Sequence, residues 1–194
     1  MTRIAPSAAF AEIPVADLGQ GDQINLGVAA IVGRLGKVAE GLGALNAALR
    51  STGTLPPRLL ELVRLRIAYH NQCRSCMSVR YQSAIDDGPT EDAVCSLERP
   101  ADAPDLSDAE RAALKFADLF ATNHLAIDDT VYDELRTHFT EDQLVELGVH
   151  CAIALGIGRL TATWDVTDDI PDAFQSDTDG RATPWSSAGV VASG

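Results

Sequence analysis

The 194-residue chain carries 28 acidic against 15 basic side chains, a formal charge of −13. Such a surface repels phosphate backbones and anionic lipids, so neither nucleic acid nor membrane is an expected partner. Hydrophobic residues make up 46% and aromatics only 5%, a balance rich in Ala and Leu that favours packed helices over sheets.

The length suits one sizeable core. The chain reads as one helical domain over residues 1–167, irregular over 1–20, followed by a tail over 168–194 that is acidic and then Gly/Ser-rich. No basic leader followed by an apolar run opens Met1–Leu18, and the longest apolar stretch, Cys151–Ile157, falls far short of the roughly 20 residues that cross a bilayer. A cytoplasmic location is expected. In a reducing compartment the four cysteines, Cys73, Cys76, Cys95 and Cys151, are not expected to form two structural staples, and only Cys73 and Cys76 are close in sequence.

In chain order, Ile24, Val28, Ile31, Leu35, Val38, Leu42, Leu45 and Leu49 recur at three- and four-residue steps and place one stripe on a long helix. Gly33, Gly36, Gly41 and Gly43 weaken it by about 1 kcal/mol each. Either close packing compensates or the segment breaks in two. A second helix starts at Pro56–Pro57 and carries Leu59, Leu62, Val63 and Ile67 inward to about Tyr69. Asn71 reads as the cap of a third helix holding Cys73, Cys76, Arg80 and Ala84 and ending near Asp87–Gly88. Pro89 and Thr90 then restart a short helix around Val94. Ser107 with Glu110 and Thr140 with Gln143 fit capping boxes. The first opens a helix burying Ala112, Ala113, Phe116, Leu119 and Phe120; the second opens one burying Leu144, Leu147, Cys151, Leu155 and Ile157. Residues 130–139 form another helix between them. No segment alternates like a half-buried strand, so the fold class is all-α. Residues 186–194 read as a mobile tail unless Trp185 anchors them. Leu59, Glu61, Leu62 and Arg74 match Leu144, Glu146, Leu147 and Arg159 at one offset of 85 residues, an echo that chance or two related helical halves would explain.

Two cysteines three residues apart at a helix start lie on one face, within reach of a reducible disulfide. The unpaired N–H groups of a first turn favour a thiolate there. Arg80, four residues beyond Cys76, falls on the same face and would lower a thiol pKa further. A thiolate attacks a peroxide oxygen or a disulfide sulfur, so redox work is the favoured reading, with an inert pair as its rival. A zinc site lacks a second ligand pair, and a thioredoxin assignment wants a preceding strand. Cys95 and Cys151 read as buried small hydrophobes. Glu61, inside an apolar run, is either a solvated glutamate or a partly buried carboxylate that relays a proton. His70, three residues before Cys73, is equally a proton relay or a satisfied structural histidine. His124 and His138 are expected at the surface or in packing, and His150 on a buried helix.

The stretch from Glu61 through Leu65-Arg66-Ile67-Ala68, Asn71, Cys73 and Cys76 resembles the carboxymuconolactone decarboxylase superfamily, in particular its AhpD-like alkylhydroperoxidase branch. The resemblance covers roughly residues 50–165. It implies an AhpD-like multi-helix bundle assembled into homo-oligomers, trimers or multiples of them. It also implies a peroxidatic Cys76, a resolving Cys73 and Glu61 at the distal end of a proton relay. The substrate would be a hydroperoxide, the reductant an external dithiol of the lipoyl or thioredoxin-like class, and no bound cofactor or metal would be needed. This sequence departs from the pattern where the branch has histidines, at Ser75 and Arg80. Arginine cannot pass a proton at neutral pH, so His70 or water would have to replace that base. The alternatives are a decarboxylase-type small-molecule enzyme of the same superfamily, or a non-catalytic redox-sensing helical module.

Overall fold

The computed structural model describes residues 2–10, 13–88, 91–175 and 181–193. The glycine-rich opening breaks in two, into α1 (Gln20–Val32) and α2 (Lys37–Thr52), joined by a 3-10 turn at Gly33–Leu35. Gly36 takes φ 54° and ψ −117°, a conformation open only to glycine, and ends that turn ahead of α2. The single inward stripe does not survive the break. Ile24 and Ile31 are buried, whereas Leu35 and Val38 are 62% and 65% exposed.

The core forms around α3 (Pro57–Asn71), which packs most extensively on α7 (Asp108–Thr122) and α9 (Glu141–Trp164). Leu59, Leu62, Val63, Leu65 and Ile67 are buried on several sides of α3, the pattern of a helix enclosed by its neighbours. Ala113, Leu114 and Ala117 of α7 and Leu147 and Cys151 of α9 meet them. Burying each Leu or Ile contributes about 1.5–3 kcal/mol, so this three-helix contact carries most of the fold's hydrophobic stabilisation. Both expected capping boxes form. Ser107 Oγ accepts from Glu110 N at 3.2 Å and Glu110 Oε2 accepts from Ser107 N at 2.8 Å; Thr140 and Gln143 do the same at 3.3 and 3.1 Å. The short α8 (Asp129–Arg136) lies between α7 and α9 in sequence and is capped by Asp128.

The stretch after α3 departs from expectation. Instead of one helix to Gly88, it forms α4 (Arg74–Ser78), a strand β1 (Val79–Tyr81) and α5 (Gln82–Asp86), and then α6 (Glu91–Cys95). The strand exists because the carboxyl-terminal stretch supplies its partner. β2 (Val190–Ala192) runs parallel to β1, with Val79 opposite Val190 and Tyr81 opposite Ala192. The expectation of no strands is corrected by this three-residue pair, too short to show an alternating pattern.

The same stretch is docked rather than loose. The ring of Trp185 lies 4.8 Å from that of Tyr69, and Ile170, Ala192 and Phe174 of α10 (Asp172–Gln175) are buried with Ile24, Ala68, Met77 and Val79 in a second apolar cluster. A Cβ on Gly21 would fall 2.3 Å from the carbonyl oxygen of Val191, so a glycine lets α1 close over β2.

Candidate functional site

The cysteine pair sits where α3 hands over to α4. Gln72 adopts the left-handed conformation, φ 51° and ψ 37°, and ends α3. Asn71, expected to cap the next helix, is the last residue of α3 instead. Its Nδ2 donates to the carbonyls of Ala154 and Leu155 and its Oδ1 accepts from Arg159 Nε, tying the handover to α9. The cap of α4 is Cys73, whose Sγ accepts from Cys76 N at 3.3 Å. With five residues, α4 is a single turn, so the expected dipole reduces to that one N–H.

Cys73 and Cys76 are joined in a disulfide, with Cα atoms 5.2 Å apart. Cys73 is fully buried and Cys76 partly exposed. The two cysteines therefore differ in exposure: Cys73 is enclosed, and Cys76 is the one that keeps some surface. Gly158 of α9 faces this point. A Cβ there would lie 2.6 Å from Asn71 Nδ2 and 3.8 Å from Cys76 Sγ, so the close approach of α9 to the pair depends on a residue without a side chain. An open cleft of about 210 Å³ borders the pair, lined by Gln72, Arg74, Ser75, Thr161, Asp165 and Thr167 among others. Neither cysteine is among its lining residues, although Arg74 and Ser75 between them are.

Glu61 is 4% exposed, which rules out the solvated reading. Both its oxygens accept from Arg64, at 2.6 and 2.7 Å, and Oε1 also accepts from Tyr81 N at 3.3 Å. Arg64 reaches on to the carbonyls of Cys76 at 2.6 Å and Val79 at 2.8 Å. Burial works against its charge, yet the Glu61 carboxylate and its hydrogen bonds outweigh burial and hold the guanidinium above its ordinary pKa. Glu61 is thus connected to the second cysteine, but through a fixed cation and a backbone carbonyl. The sequence reading overlooked Arg64. The signal was its i,i+3 spacing from Glu61, which puts both on one helix face.

His70 and Arg80 both point elsewhere. His70 Nε2 lies 2.6 Å from Asp118 Oδ1, and Asp118 also accepts from Arg66 at 2.6 and 3.1 Å. Burial would raise the Asp118 pKa, but these hydrogen bonds and the arginine charge hold it below the ordinary value. Among the described residues no hydrogen bond joins His70 to either cysteine, and the α3–α7 link favours its structural reading. Arg80 is on β1 rather than on a shared helix face with Cys76. Its donors go to the carbonyls of Met77, Val79 and Pro184 and to Glu91. Burial lowers its pKa, with Glu91 opposing. It anchors the carboxyl-terminal stretch, and among the described residues none of its hydrogen bonds goes to Cys73 or Cys76.

Cys151 is buried as expected, and burial pushes its thiol up to about 12. Cys95 corrects the expectation: it is exposed, because α6 is a short surface helix whose inward positions are Ala93 and Val94. His124 and His138 are exposed. Among the described residues no three His, Cys, Asp or Glu side chains converge as metal ligands would. α9 is long and apolar enough to count as a candidate membrane span by length and composition alone; here its inner side is part of the core.

Residues 36–119 match the carboxymuconolactone decarboxylase family. An uncharacterized protein of Mycobacterium tuberculosis is 41% identical over 95 residues, 48% of this chain and 33% of that protein. The chain thus spans about a third of the length of that relative. YnjA of Escherichia coli is 27% identical over 122 residues, 63% of this chain and 65% of that protein. Two solved structures share the fold. One is a protein of unknown function from Agrobacterium tumefaciens, described as a candidate antioxidant defence protein AhpD. It has a TM-score of 0.59 at 20% identity and covers 69% of this chain and 92% of that one. The other is the debrominase Bmp8, solved as a cysteine-to-alanine variant with 2,3,4-tribromopyrrole. Its TM-score is 0.65 at 19% identity, over 87% of this chain and 94% of that one. With the shared helical architecture and the cysteine pair at the α3–α4 handover in hand, the chain is AhpD-like in fold, and over residues 36–119 it is similar to the carboxymuconolactone decarboxylase family.

Proposed function

We propose that the chain is a thiol-dependent peroxidase working through a Cys73–Cys76 dithiol and disulfide cycle. The observation that carries the reading is the unequal exposure of two cysteines close enough to bond, Cys76 partly exposed and Cys73 fully buried. In the reduced protein the Cys76 thiolate attacks the terminal oxygen of a hydroperoxide. The O–O bond breaks, the alkoxide takes a proton and leaves as an alcohol, and Cys76 becomes a sulfenic acid. The Cys73 thiol then attacks that sulfur, expels water and forms the disulfide. An external dithiol of the lipoyl or thioredoxin-like class returns both thiols by exchange at the Cys76 sulfur. Neither His70 nor Arg80 faces the sulfurs, so the proton for the alkoxide comes from water. The Glu61–Arg64 pair, fixed to the Cys76 carbonyl, positions the turn. Replacing Cys76 by Ser should lower turnover of cumene hydroperoxide with dithiothreitol by more than about 100-fold. Unchanged turnover would reject the mechanism.

A second reading is reductive dehalogenation of a halogenated aromatic by the same dithiol. It is favoured by one observation, the wider structural coverage of the debrominase, 87% of this chain against 69% for the AhpD-like structure. Bromide release from a bromopyrrole with dithiothreitol, together with failure to consume hydroperoxide, would put this reading first. Loss of activity toward a lactone acid on changing Glu61, with both cysteines dispensable, would instead favour a decarboxylase.

A further inference from the structure

One polar node beside the disulfide is bonded more completely than a helix end requires. Asn71, the last residue of α3, spends its whole side chain on the core: Nδ2 donates to Ala154 O at 3.1 Å and Leu155 O at 3.2 Å, and Oδ1 accepts from Arg159 Nε at 3.0 Å. The opposite orientation of the amide would set its oxygen against two carbonyls and its NH2 against a guanidinium, so these partners fix it. Ala154 and Leu155 lie inside α9, where a carbonyl has a helical partner four residues on and a second lone pair left for the amide. Arg159 also donates to Ala121 O at 2.9 Å, near the end of α7. One side chain thus joins the ends of α3 and α7 to the body of α9.

The node reaches the sulfurs by two routes. The nearest atoms to a Cβ placed on Gly158 are Asn71 Nδ2 at 2.6 Å and Cγ at 3.6 Å, then Cys76 Sγ at 3.8 Å. A single absent methyl therefore lets the amide reach α9 at the point where the Cys76 sulfur also meets it. The second route is the backbone. Cys73 follows Asn71 by two residues; its N donates to Ala68 O at 3.1 Å, and Gln72 N donates to Tyr69 O at 3.1 Å, so the path from Asn71 to Cys73 has no slack. Arg64, bonded to the Cys76 carbonyl, holds the far end of the turn. Each cysteine is held from its own direction.

We propose that Asn71 and Arg159, with Gly158 making room for them, are positioning residues of the dithiol pair: they hold Cys73 where its sulfur meets that of Cys76. Holding two reacting groups in place raises their effective concentration. In the peroxidase reading the step that gains is the second one, in which the Cys73 thiol attacks the Cys76 sulfenic acid, the S–S bond forms as the S–O bond breaks, and the hydroxide leaves with the thiol proton as water. Attack on the hydroperoxide uses Cys76 alone and draws nothing from the node. Only these peroxide steps rest on the peroxidase reading; the balance between dithiol and disulfide belongs to the pair itself.

The test equilibrates the full chain, in a C95S background, with mixtures of reduced and oxidised glutathione and reads the ratio of dithiol to disulfide by mass after alkylation. Asn71→Ala and Gly158→Ala should each lower the effective concentration of the pair by about tenfold or more. Both act on one contact, so the double variant should lose less than the product of the two single effects. Arg159→Met, at an exposed position, should keep the helical circular dichroism and shift the ratio in the same direction by less. Leu114→Ala, a cut in the buried middle of α7, should lower stability and leave the ratio at the wild-type value. Treated with cumene hydroperoxide, Asn71→Ala should accumulate Cys76 sulfenic acid, trapped with dimedone, above the wild-type level. A wild-type ratio in both Asn71→Ala and Gly158→Ala, effects that multiply in the double variant, or an equal shift in Leu114→Ala would each overturn the proposal. A shifted ratio together with peroxide turnover that survives Cys76→Ser would uphold the positioning role and reject the peroxidase alone.

Discussion

The α3–α7–α9 core and α2 of the α1–α2 arm are both rich in Leu, Ala and Val, yet the core is enclosed and α2 lies open. In the core, every turn of α3 meets a neighbour: Leu62, Leu65 and Ile67 are wholly buried, and its charged residues are absorbed by ion pairs, Arg58 with Glu110, Glu61 with Arg64 and Arg66 with Asp118. In the arm, α2 buries nothing. Apolar periodicity marks the side of a helix that seeks cover, without saying which surface provides it.

The sharpest way to break this comparison is to cut equivalent positions. Leu62→Ala should cost about 2–5 kcal/mol in urea denaturation, through lost transfer energy and a cavity. Gly41→Ala in α2, where an added Cβ meets nothing within 4 Å, should instead be neutral or stabilising by up to about 1 kcal/mol. If both shift the midpoint equally, the arm is part of the core after all.

The next largest effect concerns the buried pair. Glu61→Ala leaves the Arg64 guanidinium beside the Cys76 carbonyl without its carboxylate and should cost about 3 kcal/mol. The double variant Glu61→Leu with Arg64→Met should recover much of that stability in the same denaturation experiment, since apolar replacements avoid the desolvation cost. Stability regained without peroxide turnover would mark the pair as retained for the site.

The smallest effect is on the open side of α9. Burial lowers the His150 pKa below its ordinary value, with Glu146 opposing, and among the described residues its Nε2 has no hydrogen-bond partner. The unfolded chain therefore binds more protons than the folded one below the ordinary histidine value, so stability present above about pH 6.5 is lost as pH falls through that range. His150→Leu should flatten the fall in Tm between pH 7 and 5 by roughly 2 °C. An unchanged slope would show that another group governs acid sensitivity.

Features set by neighbours in sequence were legible. The capping boxes at Ser107 and Thr140, the proline start of α3 and the glycine weakness after Val32 all depend on residues within one turn. The Cys73–Cys76 spacing likewise announced that the two sulfurs lie within bonding reach. What could not be read depends on distant partners. β1 exists because Val190 to Ala192 return to it, so Arg80 left the helix face it would have shared with Cys76. Asp118 takes up His70 from 48 residues away, a pairing with no local signature. Glu61 was legible as a carboxylate in an apolar run, but its burial rests on Arg64 and Tyr81, and only the first is a near neighbour.

The strand beside the cysteines has one more consequence, for how the protein is made. Arg80 holds the carbonyl of Pro184, 104 residues further on, and Val79 pairs with Val190. A chain emerging from the ribosome can fold α3 and the disulfide turn long before those residues are synthesised. Until they arrive, the turn that carries the sulfurs lacks its strand partner, and the frame around the pair closes only once residues 184–192 have been made.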